Sequence, residues 1–282
     1  MTTACATRLE PVEAIIRAQV AAADVVGFDE TGVRATGSLH WLHTASTQWL
    51  TWYFAHTRRG CDAMDAADIL PGFRGRAVHD FWRPYLQYDG DHAFCHAHLL
   101  RELIFLWEEQ DQAWATARID QLLTIHAAVE TARDAGLAAL RAEDLARFPR
   151  DYLRIVDAGY AETPVPVPVV AGPRRRGRRG QSKAQNLLDR FRDHPDGILA
   201  FMRDCAGPST NNGSERDLRM MQLRETISGS FRSVAALVDF CRIRGYVSTA
   251  RKNGLSALDA LRRAFAGDPF IPTMPTAPEA IA

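Results

Sequence analysis

Three runs of aromatic and β-branched residues near the start of the chain constrain its fold most strongly. They are "DVVGFDETGV" at 24–33, "SLHWLHTASTQ" at 38–48 and "LTWYFAHTRR" at 50–59. These residue types favour β-strands, and only a few residues separate one run from the next. The pattern predicts consecutive antiparallel strands, so we expect the core to be built on a sheet that begins with them.

Two further short strands are expected before the chain becomes helical. "GRAVHDFW" at 75–82 and "DHAFC" at 91–95 predict a fourth and a fifth strand. The segment between the third and fourth strands, "CDAMDAADILPG", predicts a helix that Pro71 and Gly72 end. This order of strands and helices indicates an α/β fold.

Helices are expected at both ends of the chain and over its middle part. A first amphipathic helix is predicted within residues 9–23, and everything from about residue 96 to 160 has a helical pattern. The Pro- and Arg-rich segment 163–183 interrupts that pattern. Helices return after it, and the chain closes on one helix at "SVAALVDFCRIRGYVSTARKNGL".

Several classes of protein are excluded. No apolar run reaches the roughly 18 residues of a membrane-spanning helix, and the first residues lack the order of a signal peptide. The five cysteines are scattered without a CxxC pair, which argues against a disulfide frame or a four-cysteine zinc site. The cluster of Cys95, His96 and His98 also lacks a second ligand pair. We therefore expect a cytoplasmic protein with no membrane partner.

The charge distribution points to an anionic partner although the formal net charge is zero. Residues 1–170 carry 15 basic against 23 acidic side chains, whereas residues 171–270 carry 19 basic against 10 acidic ones. The run "PRRRGRRGQSK" at 173–183 places six basic residues in eleven. Such a run attracts phosphates without regard to sequence, and a solvated loop is the alternative.

Three acidic residues are candidates for a metal site. Asp29 and Asp80 are predicted to stand at the ends of two strands, and Glu215 opens a helix after "PSTNNG". Carboxylates that are brought together repel one another, and a hard divalent cation with oxygen ligands relieves that repulsion. On composition alone, structural or solvated roles remain open for all three, and Glu215 could simply favour a helix N-terminus.

Six motifs in a fixed order add a resemblance to these patterns. They are "DET" from Asp29, "HDFWRPY" around Asp80, "CHAHLLREL" at 95–103, "NNGSERDLR" around Glu215, "SGSFRS" at 228–233 and "STARKNG" at 248–254. Together they resemble the insertion-sequence-66 family of DDE transposases, over residues 24 to about 265.

The resemblance implies a fold and a reaction. It implies a ribonuclease H-like core, with a mixed sheet of three antiparallel strands followed by parallel ones and helices on both faces. It also implies that Asp29, Asp80 and Glu215 are the catalytic residues and hold Mg²⁺ or Mn²⁺, two ions in all, for DNA strand cleavage and strand transfer. The expected organisation is an N-terminal helix at 1–23, core at 24–96 and 206–267, a helical insertion at 97–205 with the basic loop 173–183, and a loose tail at 268–282.

The partners follow from the same resemblance. Double-stranded DNA is expected at the transposon ends and at the target, with the protein near the nucleoid. Longer relatives carry an N-terminal DNA-binding and oligomerising region, so we expect this chain to be a catalytic half that self-associates or works with a separate N-terminal part. Alternatives are another ribonuclease H-like nuclease, such as a resolvase, and a non-enzymatic remnant that binds DNA or a full-length transposase.

Other polar residues are assigned by their place in the motifs. His79, Asn211 and Asn212 are expected to support the carboxylates. His79 could instead touch a scissile phosphate or be a structural histidine, and the two asparagines could cap the helix or contact the DNA backbone. Arg216 and Arg219 either contact DNA or form salt bridges within their helix. The residues expected to bind DNA are Arg174, Arg175, Arg176, Arg178, Arg179, Lys183, Arg216, Arg219, Arg232 and Lys252.

Overall fold

The computed structural model describes residues 2–163, 181–205 and 207–273. The chain divides into two compact units, unit 1 from residues 1–92 and 210–282, and unit 2 from residues 93–209. The sequence placed the corresponding boundaries at 97 and 205. The arginines of the run at 174–179 lie outside the described residues.

A five-stranded mixed sheet organises the fold. Its strands are β1 (Val25–Ala35), β2 (Ser38–Ser46), β3 (Thr51–His56), β4 (Arg76–His79) and β5 (Asp91–Phe94). Their order in the sheet is β3-β2-β1-β4-β5. β1, β2 and β3 pair antiparallel, and β4 pairs parallel to β1. The predicted antiparallel run at the start of the sheet is therefore confirmed.

The prediction that Asp29 stands at the end of its strand is wrong. β1 continues to Ala35, because β2 pairs with it as far as the Ala35–Ser38 partners. The turn between them is made by Thr36 and Gly37, with φ angles of 51° and 79° that favour glycine and short polar residues. On the other side, β4 pairs only with residues 25–27 of β1. Asp29 thus lies just past the last parallel pair.

The helices of the described residues surround this sheet or build unit 2. In chain order they are α1 (Thr2–Ala21), α2 (Cys61–Ala67), α3 (His96–Gln110), α4 (Ala113–Asp134), α5 (Ala142–Glu162), α6 (Lys183–Asp193), α7 (Pro195–Ile198), α8 (Ala200–Arg203), α9 (Asn212–Ser228), α10 (Val234–Lys252) and α11 (Ala257–Ala266).

Three helix boundaries differ from the sequence-based expectation. α1 begins at Thr2 rather than at residue 9. α2 ends at Ala67, before Pro71, because Asp68 takes a left-handed conformation with φ 52°. The predicted closing helix, residues 233–255, is α10, which ends earlier, at Lys252, and α11 is an additional helix that the sequence did not predict.

The end of the described chain is attached to unit 1. The backbone N–H of Phe270 donates to the Tyr246 hydroxyl at 2.9 Å, and the Gln19 side chain donates to the Pro272 carbonyl at 2.8 Å. The predicted loose tail starts at residue 268, so its first part has fixed contacts. Its remainder, 274–282, lies outside the described residues.

The two faces of the sheet belong to two separate apolar clusters, because successive side chains of a strand point to opposite sides. One face buries Val26, Phe28, Ala45 and Trp52 against apolar residues of α1 and α2, among them Leu9, Val12, Ile16 and Met64. The opposite face buries Val33, Leu42 and Tyr53 against residues of α9 and α10, namely Leu218, Met221, Leu237 and Cys241. β1 is thus covered on both sides.

Unit 2 has a helical core of its own. Its most unusual buried residue is Arg118 of α4, which is fully buried, donates to Gln121 and to the Tyr152 carbonyl, and lies 3.8 Å from the centre of the Tyr152 ring. Burial lowers the pKa of Arg118 to about 10, so the side chain stays charged at neutral pH. Among the described residues of the whole chain, no helix is long and apolar enough to cross a membrane.

Candidate metal centre

Asp29 and Asp80 lie at the same end of the ladder between β1 and β4. Gly27 pairs with Val78 in the last parallel pair, and β4 ends one residue later at His79. Each aspartate therefore follows this last pair by two residues. The prediction that Asp80 directly follows its strand is confirmed. Its carboxylate accepts the backbone N–H of Trp82 at 2.9 Å, which fixes the turn after β4.

The start of α9 is pressed against β1 at Gly27. A β-carbon at this position would lie 2.5 Å from Asn211 Oδ1 and 2.5 Å from Ser214 Oγ, so no residue larger than glycine fits without displacing the helix. The Asn211 amide donates to the Phe28 carbonyl at 2.6 Å, and the Ser214 and Ser46 hydroxyls lie 2.8 Å apart. These contacts hold the start of α9, which carries Glu215, against Gly27 and Phe28, the residues that precede Asp29 in β1.

The expectation that Asn211 caps α9 through its side chain is wrong. Asn211 is the residue before the helix, but its side chain makes no capping hydrogen bond. It is buried and holds the helix start to β1 instead, through the bond to Phe28. Asn212 is the first residue of α9 and is exposed.

A buried polar network holds α9 against the rest of the sheet. The Asp217 carboxylate accepts from the Thr51 hydroxyl at 2.9 Å, the Ser248 hydroxyl at 2.8 Å and the Lys252 ammonium at 2.8 Å. The Lys252 side chain is only 19% exposed and that of Asp217 10%. Lys252 also donates to the Thr47 carbonyl at 2.8 Å. Since Asp217 is two residues after Glu215, this network helps to fix the orientation of the candidate glutamate.

The electrostatics of the site indicate an accumulation of negative charge. The pKa of Asp29 is raised to about 7, mainly because its carboxyl is buried. The charge of Glu30 adds to that rise, the N–H of Glu30 opposes it with a 2.9 Å hydrogen bond, and the charges of Glu215 and Asp80 raise the pKa further. The charges of residues 80 and 215, which are distant in the sequence, therefore act on Asp29 in the folded chain.

His79 supports the turn at Asp80 from inside the protein. It is fully buried, and burial lowers the pKa of its ring to about 3, so that the ring is neutral. Its Nδ1 lies against the Asp80 carbonyl, Nε2 is 2.8 Å from His92 Nδ1, and the ring stacks on Tyr85 with centroids 4.5 Å apart. A neutral ring that donates from Nδ1 accepts at Nε2, which fixes its orientation.

A second cluster beside the carboxylates was not predicted from the sequence. Glu30, the residue after Asp29, has a side chain only 2% exposed and forms an ion pair with Arg59 at 2.6 Å. The Tyr85 hydroxyl also donates to Glu30. The Arg59 guanidinium lies over the Trp82 ring at 3.9 Å and over the Trp41 ring at 4.9 Å. Nothing in the sequence distinguished Arg59 from its neighbour Arg58.

The residues expected to contact DNA occupy different environments. Arg216 and Arg219 are exposed on α9, and within the described part of the chain neither forms an ion pair, which leaves the predicted salt bridge within the helix without support. Arg232 is also exposed. Lys252, by contrast, is occupied by Asp217 and two carbonyls. In unit 2, the Lys183 ammonium lies 4.1 Å from the centre of the Phe105 ring.

The chemistry of the donor set fits a hard divalent cation. All three candidate ligands are carboxylates, which Mg²⁺ and Mn²⁺ accept as oxygen ligands. The pKa of Asp29 is raised mainly by burial, and a bound cation would neutralise the smaller contributions that Glu215 and Asp80 make to that rise. Asp29, Asp80 and Glu215 are each partly exposed, so that an ion can reach them from solvent.

Comparison with known proteins gives one finding. A sequence model described as the transposase IS66 family matches residues 1–238, well over half of the chain. The match includes Asp29, Asp80 and Glu215 and ends inside α10, before the "STARKNG" motif. Neither the curated proteins nor the solved structures contain a significant match.

Proposed function

The chain belongs to the transposase IS66 family, and from that membership we propose that it cuts DNA strands and transfers them with the help of divalent metal ions. The catalytic groups in this proposal are Asp29, Asp80 and Glu215, which are also the metal ligands. Its substrate is double-stranded DNA, at the ends of a transposon and at the target, which would place the protein in the cytoplasm near the nucleoid.

The observation that carries this proposal is the electrostatic effect of neighbouring carboxylates on Asp29. Burial is the main cause of its raised pKa, and the charges of Glu30, Glu215 and Asp80 raise that pKa further. A purely structural carboxylate is normally stabilised by donors or cations, because repulsion between acids costs stability. In unit 1 the chain instead uses a glycine and two polar anchors to bring a third acid towards two others.

The proposed chemistry divides between the ions and the protein. Two bound Mg²⁺ or Mn²⁺ ions would activate the attacking oxygen and stabilise the leaving oxygen at a phosphodiester. Water first cleaves a strand and leaves a 3′-hydroxyl; that hydroxyl then attacks a target phosphorus, and one P–O bond forms as another breaks. Asp29 and Asp80 would hold the ions, Glu215 would complete their ligands, and Asn211 would keep α9 in place.

We further assign the sheet to the ribonuclease H-like class. The support is its topology, with three antiparallel strands in the order β3-β2-β1 followed by β4 parallel to β1. The carboxylates lie at the end of β4 and on the neighbouring β1, and a helix packed on β1 supplies the third. The helical unit 2 is then an insertion between β5 and α9.

DNA contacts are proposed for exposed cations rather than for buried ones. Arg216 and Arg219 lie on the helix that carries Glu215, and Arg232 follows that helix. The run Arg174–Arg179 and Lys183 would add non-specific attraction to phosphates. We give Lys252 a structural role instead, because its ammonium is bound to Asp217. Self-association, or a complex with a separate N-terminal transposase part, remains part of the proposal.

The proposed reaction is tested by nicking and strand transfer on DNA that carries the element's terminal repeats, with Mg²⁺ or Mn²⁺. Asp80→Asn should abolish both products while the protein stays folded, since the carbonyl oxygen of asparagine can still accept the Trp82 N–H. Asp62→Asn is a matched control, because Asp62 is exposed and pairs with the exposed Arg58.

Unchanged activity in Asp80→Asn would refute the assignment of the site. Nicking without any strand-transfer product, at every metal concentration, would instead indicate a hydrolytic nuclease. Binding of Mn²⁺ to the wild-type chain, with loss of that binding in Asp80→Asn, gives a readout that does not depend on the DNA sequence used.

A further inference from the structure

Arg59 connects the segments that carry the two aspartates, and we propose that it is a positioning residue for the metal centre. The inference rests on the proposed function, since it concerns the same site. Arg59 lies between β3 and α2, and its side chain donates hydrogen bonds to Glu30 rather than to either aspartate. Its effect would act through Glu30 on one side and through Trp82 on the other.

The contact with Glu30 fixes the β1 side of the site. The Arg59 Nε and Nη2 atoms lie 2.9 and 2.6 Å from Glu30 Oε1. A carboxylate that is only 2% exposed needs such a partner, because burial of an unpaired charge is costly. Glu30 follows Asp29 in β1, and the two side chains point to opposite faces of the sheet. Holding Glu30 therefore also fixes the backbone from which Asp29 extends.

The stack with Trp82 fixes the Asp80 side. The Arg59 Cζ atom lies over the Trp82 ring, 3.9 Å from its centre, a distance at which an arginine and a tryptophan attract each other. The backbone N–H of Trp82 donates to Asp80 Oδ1 at 2.9 Å. Because β4 ends at His79, strand pairing does not hold Asp80 or Trp82 in place. The stack on Arg59 supplies a restraint that the sheet does not.

One side chain thus spans the two aspartate segments. Tyr85, whose hydroxyl donates to Glu30 and whose ring meets Trp82 edge to face at 5.9 Å, closes the connection. The separation of the Asp29 and Asp80 carboxylates would then depend on Arg59. Removal of a group that orients a metal ligand commonly weakens metal binding by about 10- to 100-fold. We expect a loss of that size when Arg59 is replaced.

The experiment compares Arg59 with the arginine before it. In the full chain, Arg59→Met should weaken Mn²⁺ binding by about 10-fold or more, measured by electron paramagnetic resonance of free Mn²⁺. Arg58→Met removes the same charge from an exposed pair with Asp62, in which the side chains are 72% and 61% exposed, and should leave the affinity unchanged. Arg59→Lys keeps a cation beside Glu30 but loses the flat stack on Trp82, so it should restore only part of the affinity.

A second variant covers the case in which Arg59→Met does not fold. Trp82→Leu keeps the Arg59–Glu30 pair and removes the stack, and it should also weaken Mn²⁺ binding while thermal unfolding still shows one cooperative transition. Wild-type Mn²⁺ affinity in folded Arg59→Lys and Trp82→Leu would overturn the positioning role and leave the metal centre intact. Absence of Mn²⁺ binding to the wild-type chain would overturn the metal centre itself, and the positioning role with it.

Discussion

Replacement of Asp29 by asparagine should make the metal-free protein more stable at neutral pH. The folded pKa of Asp29 is about 7, whereas an aspartate in an unfolded chain has a pKa of about 3.9. The folded state therefore binds the proton more tightly than the unfolded state. The contribution of Asp29 to the free energy of unfolding is most favourable below about pH 4, and it is lost as the pH rises to about 7. Above that pH the folded protein carries the full cost of the ionised carboxylate.

The size of this cost follows from the pKa difference. The difference between these two pKa values corresponds to about 4 kcal/mol, and partial access of solvent to the carboxyl lowers this cost to about 2 kcal/mol. Asparagine has nearly the same shape, cannot ionise and can still accept the Glu30 N–H at its carbonyl oxygen. We therefore expect Asp29→Asn to raise the free energy of unfolding by about 2 kcal/mol at pH 8 and to change it little at about pH 4.

Urea denaturation in the presence of a chelator measures this effect. The wild-type free energy of unfolding should fall between about pH 4 and 7 relative to that of Asp29→Asn, and the two curves should run parallel above about pH 8. Parallel curves over the whole range would refute the assignment of the raised pKa to Asp29. Added Mn²⁺ should stabilise the wild type at pH 8, because it binds only the folded state, and should stabilise Asp29→Asn much less.

Two other substitutions test how α9 is held. Gly27→Ala should displace the start of α9, since its β-carbon would lie 2.5 Å from both Asn211 Oδ1 and Ser214 Oγ. We therefore expect weaker Mn²⁺ binding and less nicking in this variant. Wild-type Mn²⁺ affinity and wild-type nicking would contradict the close approach of α9 to Gly27. Lys252→Met leaves a buried carboxylate without its cation and should lower the free energy of unfolding by about 3 kcal/mol, measured by urea denaturation. Arg251→Met, at the exposed neighbour, is the control and should change it by less than about 0.5 kcal/mol; equal effects of the two would argue against the buried pair.

Local patterns were enough to predict most of the sheet. The runs that form β1, β2 and β3 are close in sequence and rich in residues that favour strands, so their antiparallel pairing needed no knowledge of remote partners. The end of β4 before Asp80 was visible for the same reason. The turn residues before Glu215 predicted the start of the helix that carries it. Motif order then suggested which acids belong together, and their role as metal ligands stays a prediction.

Contacts between distant residues decided the rest. The extension of β1 past Asp29 depends on pairing with β2, and the requirement for Gly27 depends on the approach of α9, more than 180 residues later in the chain. Arg59 gave no signal in the sequence, and Lys252 was assigned to DNA binding. Their roles depend on Glu30 and Asp217, 29 and 35 residues away. The sequence by itself therefore determined the elements and the candidate acids, because those signals are local. Only the tertiary structure determined which charges are buried and paired, because burial is a property of the packed chain.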